Sequence, residues 1–199
     1  MHSPAYEAKA QLRRTLLRQR KALAATTAQL AAAQVVATLR QALAHWSAAG
    51  GMVGAYWPIG AELDLRELLQ GPGGWALPAI RAGGLQFQRW HPGDPLEADA
   101  CGVPAPCAAA AEVPAARMAL VLVPCLGLSR RGIRLGYGGG WFDRMFAEAD
   151  WRGCPRLGVL MDAFTDQPIP RDPWDQPLHG WVSEVGLTWL RPPMGWPAE

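Results

Sequence analysis

Residues 129–144, Ser-Arg-Arg-Gly-Ile-Arg-Leu-Gly-Tyr-Gly-Gly-Gly-Trp-Phe-Asp-Arg, hold the densest chemical potential in the chain. Arg130, Arg131 and Arg134 lead into Gly136, Gly138, Gly139 and Gly140, and Trp141-Phe142-Asp143 then open a helix-compatible segment. Glycines let backbone N–H groups come close to an anion, and a helix start adds partial positive charge. Arginine supplies full charge on a forked donor. Asp143, in the first helical turn, can hold a hard cation beside phosphates. The pattern predicts a polyphosphate cradle. It is neither a Walker A loop, whose Gly-Lys-Ser/Thr end is Gly140-Trp141-Phe142 here, nor the dinucleotide GxGxxG, which meets Trp141 at its third glycine. A tight structural turn competes with this reading, but four glycines within five residues exceed what a turn needs.

Outside this stretch the candidates are weaker. Lys9 and Arg13 lie four residues apart, so a helix places them on one face. They repel mildly unless an anion or carboxylate lies between them, and a solvated basic face explains them as well. Asp64 is accounted for as a helix cap, whereas Glu62 has no such duty and is a candidate ligand group at a strand end. Trp57 and Trp141 fall on loops near the proposed cradle and can stack on a planar heterocycle, with core packing as the alternative. Asp143 fits equally as a first-turn residue complementing the helix dipole, a role that contributes only modestly to folding. Asp175, among prolines, fits as a turn residue. The four cysteines and four histidines show no metal-ligand spacing, so zinc is not expected.

These residues need elements to position them. Ala5–Leu23 reads as a helix. Thr26-Thr27-Ala28-Gln29 reads as a capping box opening a second helix to about Trp46, ended by Gly50-Gly51. Met52–Trp57 reads as a strand, and Leu65–Gln70 as a short helix capped by Asp64 with Glu67 as box partner. Trp75–Ile80 and Leu85–Trp90 read as a hairpin around Gly83-Gly84. His91–Ala116 is an irregular excursion. Met118–Pro124, the most apolar run, is the expected central strand. Trp141–Ala149 is a helix and Arg156–Met161 a strand. The proline-rich Asp162–Gly180 is loop, and Trp181–Leu190 adds one or two strands. The alternation predicts an α/β fold with a largely parallel sheet flanked by helices. Ligands of such sheets sit beyond the carboxyl ends of the strands, where the glycine loop falls. One domain over residues 1–190 with a proline-rich tail, 191–199, is expected.

Composition narrows the class. The chain has 199 residues, half of them hydrophobic, and a net charge of +2. It is therefore globular rather than disordered, and broad electrostatic binding of nucleic acid is not expected. Two basic clusters in a near-neutral chain suggest a localised anionic ligand. No leader and no membrane span are evident, so a cytoplasmic location with reduced thiols is expected.

The stretch from Arg131 to Asp143-Arg144 resembles the hallmark of the 5-formyltetrahydrofolate cyclo-ligase family, also called methenyltetrahydrofolate synthetase, which reads R-G-x-R-L-G-x-G-x-G-Y-Y-D-R. Lys9-x-x-x-Arg13, Pro58 through Glu62, Leu77-Pro78, Gly102-Val103-Pro104 and Pro124-Cys125-Leu126-Gly127 match in order, over roughly residues 7–187. The resemblance implies a fold similar to sugar isomerases and CoA-transferases. It implies ATP and Mg2+, a monomer, and small-molecule substrates with no nucleic-acid or membrane partner. The implied reaction turns 5-formyltetrahydrofolate into 5,10-methenyltetrahydrofolate, releasing ADP and phosphate. Carried over by position, Lys9, Arg13, Arg134, Leu135, Gly136, Tyr137, Gly138, Gly139, Gly140, Trp141 and Phe142 hold ATP. Trp57, Glu62 and the Tyr137–Trp141 stretch face the folate, and Asp143 and Asp175 hold magnesium. Arg134, Tyr137 and Asp143 are the catalytic candidates.

The chain departs from the family pattern in three places. Trp141-Phe142 replaces a tyrosine pair, Gly102-Val103-Pro104-Ala105-Pro106 lacks the usual glutamate, and Trp174-Asp175 replaces a His-Asp pair. A folate- or nucleotide-binding homologue with reduced or lost turnover is thus the alternative. A third possibility is an unrelated α/β phosphate-ester enzyme that shares only the loop.

Overall fold

The computed structural model describes residues 4–23, 25–46, 51–81 and 83–193. Two helices come first, α1 (Pro4–Ala22) and α2 (Ala25–Trp46). The strands are β1 (Met52–Gly54), β2 (Trp75–Arg81), β3 (Gly84–Trp90), β4 (Leu96–Ala98), β5 (Pro104–Pro106), β6 (Met118–Pro124), β7 (Gly127–Leu128), β8 (Arg134–Leu135), β9 (Arg156–Val159), β10 (Gly180–Ser183) and β11 (Gly186–Trp189). Two short helices, α3 (Arg66–Leu69) and α4 (Trp141–Ala147), complete the set.

Seven strands form the main sheet in the order β11-β10-β9-β6-β1-β2-β3. The five inner strands are mutually parallel, and each edge strand pairs antiparallel with its neighbour. The expected α/β class and largely parallel sheet are therefore present, with β6 at the centre. Its Leu120, Val121, Leu122 and Val123 are fully buried, as an inner parallel strand covered on both faces requires.

Several boundaries differ from the sequence reading. β1 ends at Gly54, so Ala55–Trp57 leave the sheet ahead of Pro58. α2 begins at Ala25, which puts Thr26 inside the first turn instead of at a cap. Asp64 Oδ1 does accept the Arg66 N–H at 2.9 Å, but α3 is a single turn whose N-cap is Leu65. Glu67 is not a box partner; it pairs with Arg40 of α2 at 2.9 Å. The irregular excursion contains the small β4–β5 ribbon. Gly50 and most of the tail lie outside the described residues.

Candidate active site

Three neighbouring parallel strands, β9, β6 and β1, send their following loops to the same end of the sheet, and α1 lies alongside them. The loop after β1 carries Trp57 and Glu62. The loop after β6 carries the glycines. The proline-rich segment after β9 carries Asp172 and Asp175. Between them lies a cavity of about 750 Å³. Lys9, Arg13, Trp57, Glu62, Arg134, Gly136, Tyr137, Gly138, Gly139, Gly140, Trp141, Phe142, Asp143 and Asp175 all line it. Leu135 is the exception. Its side chain belongs to the hydrophobic core at 1 % exposure, so only its backbone serves the loop.

Lys9 is buried, and its Nζ donates to Asp172 Oδ2 at 2.8 Å and Asp175 Oδ2 at 2.6 Å. Asp175 Oδ2 also accepts the Asp172 backbone N–H at 2.7 Å. The carboxylates that relieve the Lys9–Arg13 repulsion thus come from the far end of the chain. One turn along α1, Arg13 Nε donates to the Gly136 carbonyl at 2.8 Å and ties the helix to the glycine loop.

Arg134 and Asp143 form a two-pronged pair, with both N···O distances 2.9 Å. The backbone N–H of Gln176 adds a bond to Asp143 Oδ1 at 3.1 Å, so Asp143 sits beside the segment that holds Asp175. This corrects the expectation of an exposed first-turn carboxylate with a modest role in folding. The Arg134 side chain is only 6 % exposed and Asp143 is its counter-charge.

Backbone shape explains the glycines. Gly140 has φ 65° and ends the loop in the left-handed region immediately before α4. A Cβ on Gly139 would lie 2.7 Å from the Trp141 ring, which itself packs under the Arg144 guanidinium at 4.4 Å. Phe142 stacks on Phe146 at 5.9 Å and receives Arg134 over its face at 5.5 Å. Both aromatic replacements therefore serve as platforms for arginines at the site.

The other half of the cavity is apolar, with Trp57, Ile59, Pro78, Ile80, Leu85 and Val103 around it. Trp57 is edge-on to Trp90 at 6.0 Å. Glu62 Oε2 accepts the Ile59 N–H at 3.0 Å, which closes the turn and aims the carboxylate. Burial raises its pKa to about 7, against the opposing effects of the Ile59 N–H and the nearby charge of Arg20. Tyr137, 46 % exposed, spans both halves: its hydroxyl lies over the turn at Gly60, and its pKa is pushed up to about 12 by burial and by Glu62.

Two residues that the sequence reading missed are integral to this geometry. Asp172 shares Lys9 with Asp175. Arg20, buried on α1, reaches the carbonyls of Ala61, Cys125 and Leu126. Lys9, Arg13, Leu16 and Arg20 recur at spacings of 4, 3 and 4, which marks one helical face and is the signal that identifies Arg20.

A profile of the 5-formyltetrahydrofolate cyclo-ligase family matches residues 5–184. The chain belongs to that family. A 5-formyltetrahydrofolate cyclo-ligase from Mycolicibacterium smegmatis is 31% identical over 195 residues, 92% of this chain and 97% of that protein. One from Escherichia coli (strain K12) is 26% identical over 141 residues, 66% of this chain and 76% of that protein. Among solved structures, the Aquifex aeolicus 5,10-methenyltetrahydrofolate synthetase superposes with a TM-score of 0.78 at 25% identity, covering 96% of this chain and 97% of that one. The Mycoplasma pneumoniae 5,10-methenyltetrahydrofolate synthetase shares the fold, with a TM-score of 0.68 at 18% identity over 88% and 98% of the two chains. Among the described residues no helix alone is long and apolar enough to cross a membrane.

Proposed function

We propose that this chain converts 5-formyltetrahydrofolate to 5,10-methenyltetrahydrofolate with consumption of ATP and release of ADP and phosphate. What carries the assignment is the single continuous cavity that links Lys9, Arg13 and the Arg134–Asp143 loop to the apolar wall holding Glu62. A triphosphate suits the first region, and a reduced pterin, flat and rich in N–H donors, suits the second.

The chemistry requires alignment more than a protein nucleophile. A formamide is a poor electrophile because the nitrogen lone pair delocalises into its carbonyl. Transfer of the γ-phosphoryl group to the formyl oxygen makes that oxygen a leaving group. N10 then attacks the formyl carbon and gives up its proton, the C–O bond breaks, and phosphate departs from the closed methenyl ring. Lys9, Arg13 and Arg134 neutralise charge on the phosphoryl oxygens, and the loop amides orient them. Glu62 accepts pterin N–H donors, with Trp57 beside the ring. Tyr137 stands between the two ligands.

The magnesium expectation fits the donor set only in part. Asp143 and Asp175 both reach the cavity with hard oxygen donors, but each is paired with a cation, and among the described residues no cluster of three ligands exists. That suits an ion carried chiefly by phosphates and completed by one or two carboxylates. Asp143 and Asp175 are the residues that would hold it, where it would neutralise charge on the phosphate chain.

The test is growth of methenyltetrahydrofolate absorbance when purified protein receives 5-formyltetrahydrofolate and MgATP. Absence of product with both ligands bound would refute turnover and favour a binding homologue. Absence of binding would refute the site.

A further inference from the structure

We infer that Arg20 is a positioning residue for Glu62: it pins the turn carrying that carboxylate to the carboxyl edge of the sheet and so governs how the reduced folate is held. The inference rests on the placement of the folate at Glu62 proposed above.

Arg20 is 7 % exposed and lies behind the cavity wall. Its Nη1 donates to the Ala61 carbonyl at 3.1 Å, immediately before Glu62. Its Nη2 donates to the Cys125 carbonyl and, at 3.0 Å, to that of Leu126, in the loop that leaves β6. Its guanidinium lies over the Phe164 ring at 4.6 Å, in the turn following β9. One side chain therefore joins the loops after β1, β6 and β9. Its Nε is buried with no hydrogen-bond partner.

Among the described residues all its acceptors are neutral carbonyls, and no carboxylate pairs with it. A buried guanidinium without a counter-charge is costly. That cost is understandable if the charge acts on a group nearby. Among the described residues the titratable groups that face Glu62 are Arg20 from α1, Tyr56 from its own loop, Cys125 after β6 and Tyr137 from the glycine loop, while Asp64 faces Tyr56 and is paired with Arg66. Arg20 is the cation among them. Burial pushes Cys125 and Tyr137 up to about 12 and Tyr56 well above its ordinary value, so these three stay neutral around pH 7.

Position along the helix gives the inference its specificity. Arg20 lies eleven residues from Lys9 on the same face, about 16 Å along the axis. The glycine loop, which begins at Gly136, keeps its own tie to α1 through Arg13, and Asp172 and Asp175 keep theirs through Lys9, so loss of the Arg20 contacts should disturb the folate end and spare the phosphate end.

The experiment uses the full chain with Arg20→Gln, Arg20→Lys and Glu62→Gln. KM for 5-formyltetrahydrofolate, KM for ATP, and kcat/KM against pH are measured, with thermal melts to establish folding. Arg20→Gln is expected to raise the folate KM about tenfold or more, to leave the ATP KM unchanged, and to move the ionisation near pH 7 to higher pH. Arg20→Lys keeps the charge but loses the fork, so the folate KM rises while the ionisation stays. Folate and ATP KM rising together, or a folded variant with neither the folate KM nor the ionisation changed, would overturn the inference. If Arg20→Gln does not fold, the KM split in Arg20→Lys decides. Glu62→Gln separates the two levels. An unchanged folate KM there refutes the placement at Glu62, whereas an effect there with none from Arg20 refutes the inference alone.

Discussion

The two halves of the cavity manage charge in opposite ways. On the phosphate side Lys9 meets two carboxylates and Arg134 meets one, so the buried cations are neutralised inside the protein. On the pterin side Glu62 makes no ion pair among the described residues and is held by a backbone N–H in apolar surroundings. Under the proposed assignment the first half would be a set of exchangeable pairs, in which an incoming phosphate would take over cations from carboxylates and leave those carboxylates able to share a metal. The second half is a shaped chamber with one group whose charge the fold opposes. Internal pairing keeps the first half stable without a ligand. The second half is stabilised by neutralising its carboxylate, and its function draws on a group that folding disfavours.

The largest expected effect breaks the phosphate half. Asp143→Ala leaves Arg134 buried without its partner, and loss of one member of a buried pair costs about 3–5 kcal/mol. Denaturant unfolding should show that loss together with the disappearance of turnover. Asp143→Asn, which retains an acceptor for Arg134, should recover part of the stability and little of the activity. Unchanged stability in the alanine variant would mean that the pair is not formed in solution.

Glu62→Gln probes the opposite half, and its sign is reversed. The folded-state pKa of about 7 lies above the ordinary 4.5, so the folded protein binds the proton more tightly than the unfolded chain. Below pH 4.5 the group is neutral in both states. Between pH 4.5 and 7 stability falls as pH rises, and above pH 7 the full penalty remains, about 3 kcal/mol as an upper figure at 1.36 kcal/mol per pH unit. Glu62→Gln should therefore be more stable than the parent at pH 8, equal to it near pH 4, and weaker toward folate. Urea midpoints at both pH values check this, and a variant less stable at pH 8 would contradict an unpaired, disfavoured carboxylate.

Between these two in kind is Gly139→Ala. The added methyl lies 2.7 Å from the Trp141 ring, so the ring must leave its place under Arg144. Overpacking of this kind costs about 1–3 kcal/mol. The expected result is a raised ATP KM with the folate KM little changed, measured in the same assay. Equal effects on both substrates would show that the loop serves both halves as one unit.

The sequence disclosed the halves unequally, for a physical reason. β6, the β2–β3 hairpin and the glycine loop were legible because an apolar run, a Gly-Gly turn and clustered glycines are local signals. The spacing of Lys9 and Arg13 showed only that they share a helical face, which a solvated basic surface explains as well, and their assignment to the phosphate side came through the family resemblance. Asp172 and Arg20 were not legible, because their meaning is set by partners more than 100 residues away, at Lys9 and at Cys125. On sequence alone Asp172 is one more polar residue among prolines, and the spacing that puts Arg20 on the face of Lys9 and Arg13 does not show which carbonyls it holds. Asp143 lies in the first turn of α4 as expected, yet its buried pairing was invisible because Arg134 reaches it only once the loop has folded back.

Trp174 supplies the smallest effect and the finest division. It is 62 % exposed at the cavity mouth, on the segment between Asp172 and Asp175. Exposed side chains free of packing duties change stability by less than about 0.5 kcal/mol when replaced, so Trp174→Ala should unfold like the parent. A change in substrate KM then reports contact with a ligand and not a loosened fold. Because both neighbouring aspartates pair with Lys9, the indole belongs to the phosphate half. Stacking on a base is worth about 1–3 kcal/mol, so a several-fold rise in the ATP KM is expected, with tripolyphosphate inhibition unaltered because that probe has no base. A rise confined to the folate KM would move the boundary between the halves to the far side of this loop, and the division of labour drawn from Lys9 and Glu62 would have to be redrawn around Trp174.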